Sequence, residues 1–234
     1  MRKEDKDMYA FITPMPLEKD AVLLDTKILE EKAYGITEIT LAEYEGKKFI
    51  TAKCGIGKVN AAMAAQKVID LYEKELEGII VVGVAGSLNK EKAPLFGAVI
   101  AKEVASHDCD TTAGGDPYGL VQTKDGNLIF FKTSELMDKH LLDAAKEGVF
   151  ENIISGDVFV ADNEKKKWMR ETFKAVAVEM ESSAAAMVAY NAGIPFACLR
   201  TISDAENSAD EYPVNAKKAA LKAGEIARKF LSSF

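Results

Sequence analysis

Histidine, arginine and cysteine are all scarce in this chain of 234 residues. The two histidines, His107 and His140, have no second ligand cluster that could complete a metal coordination sphere. Three cysteines, Cys54, Cys109 and Cys198, are an odd number without CxxC spacing, which excludes a disulfide framework and reads as reduced, cytoplasmic thiols. Long hydrophobic runs are missing too. The longest, "GIIVVGVAG", is about half of what a membrane span needs. The opening "MRKEDKD" has six charges and one methionine, so it reads as a frayed end and not as a secretory h-region. Basic excess is absent: 30 Lys and Arg face 37 Asp and Glu, for a net charge of -7. With no basic stripe to displace counterions from phosphates, nucleic acid is excluded as a partner. Runs such as "EKKK" read as solvated faces.

Apolar residues make up 48% of the chain, enough for one large α/β domain over 1–234 and too few residues for two. "MYAFITPM" reads as a first strand. Pro16 stands where a helix starts, and "LEKDAVLLDTKILEE" carries helical spacing. "KKFITAKCG" predicts a strand and "VNAAMAAQKVIDLYEKEL" a helix. "GIIVVGVAG" has the unbroken apolarity of a strand covered on both faces. "GAVIAKEVA" and "GNLIFFK" are further strands, and "SELMDKHLLDAAKEG" is a helix with Ser134 at its N-cap. "NIISG", "AVAVEM" and "PFACLRTISD" complete the strands, and 214–232 closes as a helix. The alternation predicts one parallel or mixed sheet flanked by helices.

Ligands of open α/β sheets bind beyond the carboxyl ends of strands, and the unusual residues fall there. "CGIGK" (54–58) and "GVAGS" (83–87) read either as tight turns or as close backbone approaches to a ligand. Neither is a P-loop, because Val59 follows the lysine, and neither is a GxGxxG fingerprint. That fingerprint's absence removes a nicotinamide oxidoreductase. "SHDCD" (106–110) reads as a hydrogen-bonding loop rather than a metal site. In "EMES", Ser182 and Ser183 offer N-caps beside acids favoured by a helix dipole, which accounts for Glu181. It does not account for Glu179, a carboxylate within the strand end that costs free energy to desolvate unless it meets donors. "RTISDAEN" ends a strand on Ser203 and Asp204, and Asp204 is either a cap or an acid able to hand a proton to a leaving base.

Pro14-Met15 with Glu18, "CGIGKVNAA", "GVAGSL", "SHDCDTTA", "SGDVF", "VAVEMESSA" and "RTISD" occur in one order over about residues 9–230. Together they resemble the 5'-methylthioadenosine/S-adenosylhomocysteine nucleosidases of the nucleoside phosphorylase and hydrolase superfamily. The resemblance implies a three-layer domain with a central mixed, twisted sheet, hydrolysing the ribosyl bond of a nucleoside without metal or redox cofactor. It implies that Asp204 protonates N7 of the departing adenine, oriented by Ser203, and that Glu18 orients and deprotonates water. Glu181 would hold the ribose hydroxyls, with Met180 packed on the sugar and Glu179 beside it. Phe159 would stack on the purine, and the backbone of Val160 would read its edge. Ala85 and Gly86 would line the site by backbone, Ile56 its ribose side, and Arg200 would lie near the water. A homodimer is implied as well.

Phosphorylases of the superfamily hold phosphate with arginines, and this chain has four: Arg2, Arg170, Arg200 and Arg228. Val81 stands where the phosphorylases often carry one, so hydrolysis is favoured. Alternatives are a phosphate-dependent purine phosphorylase and a hydrolase of another 5'-modified purine nucleoside such as futalosine. A non-catalytic nucleoside sensor is disfavoured because Glu18 and Asp204 are both present. In "TAGGDPYG", Gly114 and Asp116 replace the aromatic wall that the nucleosidases use against the 5' group. That predicts a weakened preference for methylthioadenosine, with Tyr212 of "AENSADEYPVN" as a lid, unless Phe96 or Tyr118 refills the wall.

Overall fold

The computed structural model describes residues 8–205 and 208–233. The expected frayed end at 1–7, Arg2 included, lies outside them. β1 (Met8–Thr13) and α1 (Pro16–Leu23) precede β2 (Lys27–Tyr34), β3 (Thr37–Tyr44) and β4 (Lys47–Lys53). Next come α2 (Lys58–Tyr72), β5 (Leu76–Ser87), β6 (Ala98–Ser106) and three short strands, β7 (Val121–Thr123), β8 (Gly126–Leu128) and β9 (Phe130–Lys132). The rest is α3 (Glu135–Ala145), β10 (Val149–Ser155), α4 (Asn163–Phe173), β11 (Ala175–Glu179), α5 (Ser182–Ala192), β12 (Phe196–Asp204) and α6 (Ser208–Leu231).

Side-chain alternation along the strands builds the layers. On β1, Met8, Ala10 and Ile12 pack with Ala61, Ala64 and Ala65 of α2 and with Ala185, Ala186 and Ala189 of α5. Tyr9 and Phe11 face the other way, onto Val22 of α1, Met137 and Leu141 of α3, and Ile226 and Phe230 of α6. β5 repeats the pattern, Ile79 and Val81 to one layer and Ile80 and Val82 to the other. Coverage on both faces is why this segment is apolar throughout. The small-residue faces of α2 and α5 are therefore spent within the chain.

One mixed sheet runs β11-β10-β6-β12-β5-β1-β4-β3-β2, with β9 on β6. β1 and β12 both run parallel to β5. β11 closes back on β5 through two antiparallel pairs, Ala177↔Ser87 and Val178↔Gly86. That short overlap brings the carboxyl ends of β5 and β11 together, beside those of β1 and β12. No helix among the described residues is long and apolar enough to cross a membrane.

Several elements differ from the sequence expectation. The helix read through "LEKDAVLLDTKILEE" stops at Leu23, and Asp25 at φ 60 turns the chain into β2. Ile28 and Leu29, read as helix positions, are exposed on that edge strand, where pairing with β3 overrides local spacing. β3 lies outside the expected strands, since two of its four buried residues, Thr37 and Thr40 beside Ile39 and Ala42, are polar. "GNLIFFK" splits into β8 and β9 around Ile129. α6 begins at Ser208 and carries Pro213 within it, so the closing helix starts before 214. Ser134 occupies the N-cap of α3, yet its hydroxyl makes no capping bond.

Candidate active site

A cavity of ≈ 360 Å³ opens where those carboxyl ends converge. Every residue singled out for the site borders it: Glu18, Ile56, Ala85, Gly86, Phe159, Val160, Glu179, Met180, Glu181, Arg200, Ser203 and Asp204. Their roles are a separate matter from their assembly.

Glu18 enters from the first turn of α1. Pro16 sets the helix entry, and Glu18 at N3 reaches back to accept from the Met15 N–H at 2.8 Å. Its other oxygen accepts from the Val84 N–H, also at 2.8 Å. The carboxyl is almost wholly buried, and that desolvation pushes its pKa up to about 7 against the lowering pull of Arg200 and the two amides. Gly83 permits the arrangement, since a Cβ there would lie 2.3 Å from Glu18 Oε1 and 2.5 Å from Arg200 Nη1.

The two glutamates of "EMES" diverge in environment. Glu179 ends β11 and accepts from five donors: the Glu181 and Ser182 N–H groups, the Ser182 and Ser155 hydroxyls, and Arg200 Nη2. Those partners tie it to the start of α5 and to Arg200. Ser182 and Ser183 thus do not cap the helix as expected; Glu181 holds the N-cap position, and Ser155 accepts from the Ser183 N–H at 2.8 Å. Glu181 accepts from the Gly57 N–H at 2.9 Å and from Arg200 Nη2 at 3.1 Å. Burial raises its pKa, with Glu179 adding to the rise and Arg200 opposing it.

Three buried carboxylates, Glu18, Glu179 and Glu181, therefore share one guanidinium, which is itself held further toward the charged form by them. Full ionisation would leave two uncompensated negative charges in the cavity wall. The site is built to retain a proton or to receive a cation.

Asp204 and Ser203 are sequence neighbours that both border the cavity because the β12–β5 register shifts between Ile202 and Asp204. Ser203 Oγ lies 2.8 Å from Asp204 Oδ1 and 3.3 Å from the Ala85 carbonyl. A Cβ at Gly86 would stand 2.9 Å from Asp204 Oδ2, so glycine is what lets this carboxyl lie against the strand.

Phe159 is half-exposed at the mouth and meets Tyr212 edge-on, ring centres 5.6 Å apart. The Tyr212 hydroxyl donates to Met15 Sδ at 3.1 Å. Tyr118 instead packs on Trp168 and Phe173, and Phe96 lies under Lys218, so neither borders the cavity. "SHDCD" is a hydrogen-bonded loop in which Asp110 accepts from both the N–H and hydroxyl of Thr112. Among the described residues no group of three His, Cys, Asp or Glu side chains could hold a metal. Arg170 donates to the Leu88 carbonyl and Arg228 to that of Ala21, which leaves Arg200 as the one cation among the described residues bordering the cavity.

Ser155 of "SGDVF", beyond the expected site residues, holds Glu179 and the α5 N-terminus together. Val84, whose amide grips Glu18, is a second such residue. A serine closing an apolar strand was a signal for the first; an amide leaves none.

A family model of the phosphorylase superfamily matches residues 9–232. An aminodeoxyfutalosine nucleosidase of Campylobacter jejuni is 35% identical over 189 residues, covering 76% of this chain and 79% of that protein. A 5'-methylthioadenosine/S-adenosylhomocysteine nucleosidase of Buchnera aphidicola is 32% identical over 220 residues, covering 91% and 85%. The solved structure of a futalosine hydrolase of Helicobacter pylori superposes with a TM-score of 0.88 at 27% identity, covering 98% of this chain and 99% of that one.

Proposed function

The chain belongs to the phosphorylase superfamily, and on that premise we propose that it is a purine nucleosidase. It hydrolyses a 5'-substituted adenosine, of the methylthioadenosine or S-adenosylhomocysteine type, to adenine and the 5'-substituted ribose. The observation that carries this reading is one cavity bordered by Asp204 on one strand end and by a carboxylate-rich cluster with a single guanidinium on others. As the C1'–N9 bond breaks, its electron pair goes to the purine, and Asp204 delivers a proton to N7. The ribosyl group becomes oxocarbenium-like, and Glu181 and Glu18 supply the negative charge that stabilises it. Water adds to C1' and yields its proton to Glu18. Phe159 stacks on the base beside the Val160 backbone, Ile56 and Met180 flank the sugar, and Ala85 and Gly86 line the floor. Arg200 and Glu179 act behind the sugar, holding Glu181 and α5 in place.

The likeness to the Campylobacter and Helicobacter proteins favours a second reading, a futalosine-type nucleoside as substrate. The 5' wall is the point of difference. Residues 110–117 are exposed, and a Cβ at Gly114 would meet nothing within 4 Å. With Ile56 and Phe159 exposed at the cavity, and Val59 and Met63 exposed on α2, the wall is completed by a second copy in a cytoplasmic homodimer. A panel of methylthioadenosine, S-adenosylhomocysteine and a futalosine-type nucleoside, assayed with and without phosphate, tests this. Base release should not depend on phosphate, free 5'-substituted ribose should be the product, and methylthioadenosine should lead S-adenosylhomocysteine by less than about tenfold, given the 1–3 kcal/mol of apolar contact a lost ring forfeits. Sugar 1-phosphate as main product would overturn hydrolysis.

Glu18→Gln should lower turnover by about 10²- to 10⁴-fold. In the wild type, turnover should fall as pH drops below about 7, where Glu18 takes up a proton. The stability sign is opposite. A carboxyl whose pKa rises from 4.5 unfolded to about 7 folded contributes stability fully present below 4.5 and lost as pH rises through 7. The melting temperature of the variant should therefore gain on the wild type between pH 5 and 8. Equal pH trends in both proteins would remove Glu18 as the buried base.

A further inference from the structure

Two walls of the cavity come from distant parts of the chain: Ile56, just before α2, and Val158 to Val160, between β10 and α4. A closed circuit of three residues joins them. The Lys58 N–H donates to Asp157 Oδ1 at 2.8 Å. The Asp157 N–H donates to Asp108 Oδ2, also at 2.8 Å, and Lys58 Nζ reaches Asp108 Oδ1 at 2.5 Å. Each residue thus holds both of the others, and three segments about 50 residues apart meet at the rim.

The circuit bears directly on the site. Asp157 lies so close to Gly57 that a Cβ there would stand 3.0 Å from Oδ1. On its other side the Gly57 N–H donates to Glu181. The peptide linking the two walls is therefore gripped by a site carboxylate and by the circuit together. The root of the 156–160 segment is pinned below, where the Gly156 N–H donates to the Glu179 carbonyl and the His107 ring fills the space a Cβ at Gly156 would need. The tip lacks such support, since Phe159 is 51% exposed and its one ring contact among the described residues is Tyr212.

We propose that Lys58, Asp108 and Asp157 are positioning residues that hold the Phe159 wall in its substrate-ready place. This deepens the nucleosidase reading and rests on it. None of the three borders the cavity. Their effect comes through the fraction of molecules whose wall is preformed: apparent affinity falls in proportion to that fraction, while bound substrate still meets Glu18 and Asp204 in place. The circuit thus governs KM and leaves kcat nearly unchanged.

Steady-state kinetics on the 5'-substituted adenosine that the wild type cleaves best test this. Lys58→Met, Asp108→Asn and Asp157→Ala should each raise KM about three- to tenfold with kcat changed less than about twofold. Asp157→Asn keeps an acceptor for the Lys58 N–H and should stay nearer the wild type. Lys58→Met and Asp108→Asn combined should cost less than the product of the two alone. With an active wild type, unchanged KM, equal falls in kcat, or strictly multiplicative effects would overturn the positioning role alone. A wild type that releases no base from any of these nucleosides would overturn the nucleosidase reading and this inference with it. A variant too unstable to assay leaves the decision to Asp108→Asn, the mildest change, whose wild-type KM would count against the proposal.

Discussion

Replacing Asp204 with Asn should cut adenine release by about 10²- to 10⁴-fold, equivalent to roughly 3–5 kcal/mol of barrier, while leaving the fold intact. Asn keeps the volume of the side chain and an acceptor for Ser203 Oγ, which lies 2.8 Å from Oδ1. Its amide nitrogen takes the place of Oδ2 against Gly86, where the absence of a Cβ leaves the room. What it lacks is a proton to give. The loss should therefore track the basicity of the leaving group. A ribosyl substrate whose leaving group is stable as an anion should be spared most of it. Turnover measured on both substrates, beside a melting curve, checks the assignment. More than about a tenth of wild-type activity on the adenosine substrate would show that Asp204 is a cap and not the acid.

Arg200→Met should be the most destabilising single change at the site. Arg200 is 1% exposed and donates to Glu179, Glu181 and the Ser182 hydroxyl, with Nη1 3.2 Å from the Val84 carbonyl. Methionine fills much of the volume but leaves buried carboxylates unpaired, a loss of about 3–5 kcal/mol. In a chain of this length that lowers the melting temperature by on the order of 10 °C. The direction with pH follows from the carboxylates. Without the guanidinium, the pKa values of Glu18 and Glu181, already raised by burial, rise further. Their contribution is then fully present below their unfolded pKa values and is lost as pH rises through the folded ones. The variant should come closest to the wild type near pH 5 and fall away toward pH 8. Adding Glu181→Gln should recover part of the loss. Arg200→Lys should not substitute, because a single ammonium cannot span the acceptors that the planar guanidinium fork reaches. Wild-type melting of Arg200→Met at pH 8 would show that the cluster is not held by charge.

The order of elements was legible along the chain because core strands such as Leu76–Ser87 are apolar wherever both faces are covered. The starts of α1, α2 and α3 were legible from apolar spacing and from Pro16, whereas the largely polar α4 was not. The edge meander was not. β2 is exposed along nearly its whole length, and its strand state comes from pairing with β3. Glu18, Glu179, Glu181 and Asp204 stood out as acids at strand ends, and their residue types alone marked them for chemistry.

Tertiary structure decided how those acids divide the work. Glu179 and Glu181 are two residues apart, and the sequence separates them only as a strand end and a helix start. In space one is surrounded by donors from Ser155, Ser182 and Arg200, while the other meets the Gly57 amide and Arg200 Nη2. The need for glycine at positions 83 and 86 likewise appears only when β12 and α1 bring Arg200, Asp204 and Glu18 against β5. A residue's type declares whether it can carry charge or a proton. Which groups share that charge depends on contacts between segments 19 to 124 positions apart, and local periodicity carries no record of them.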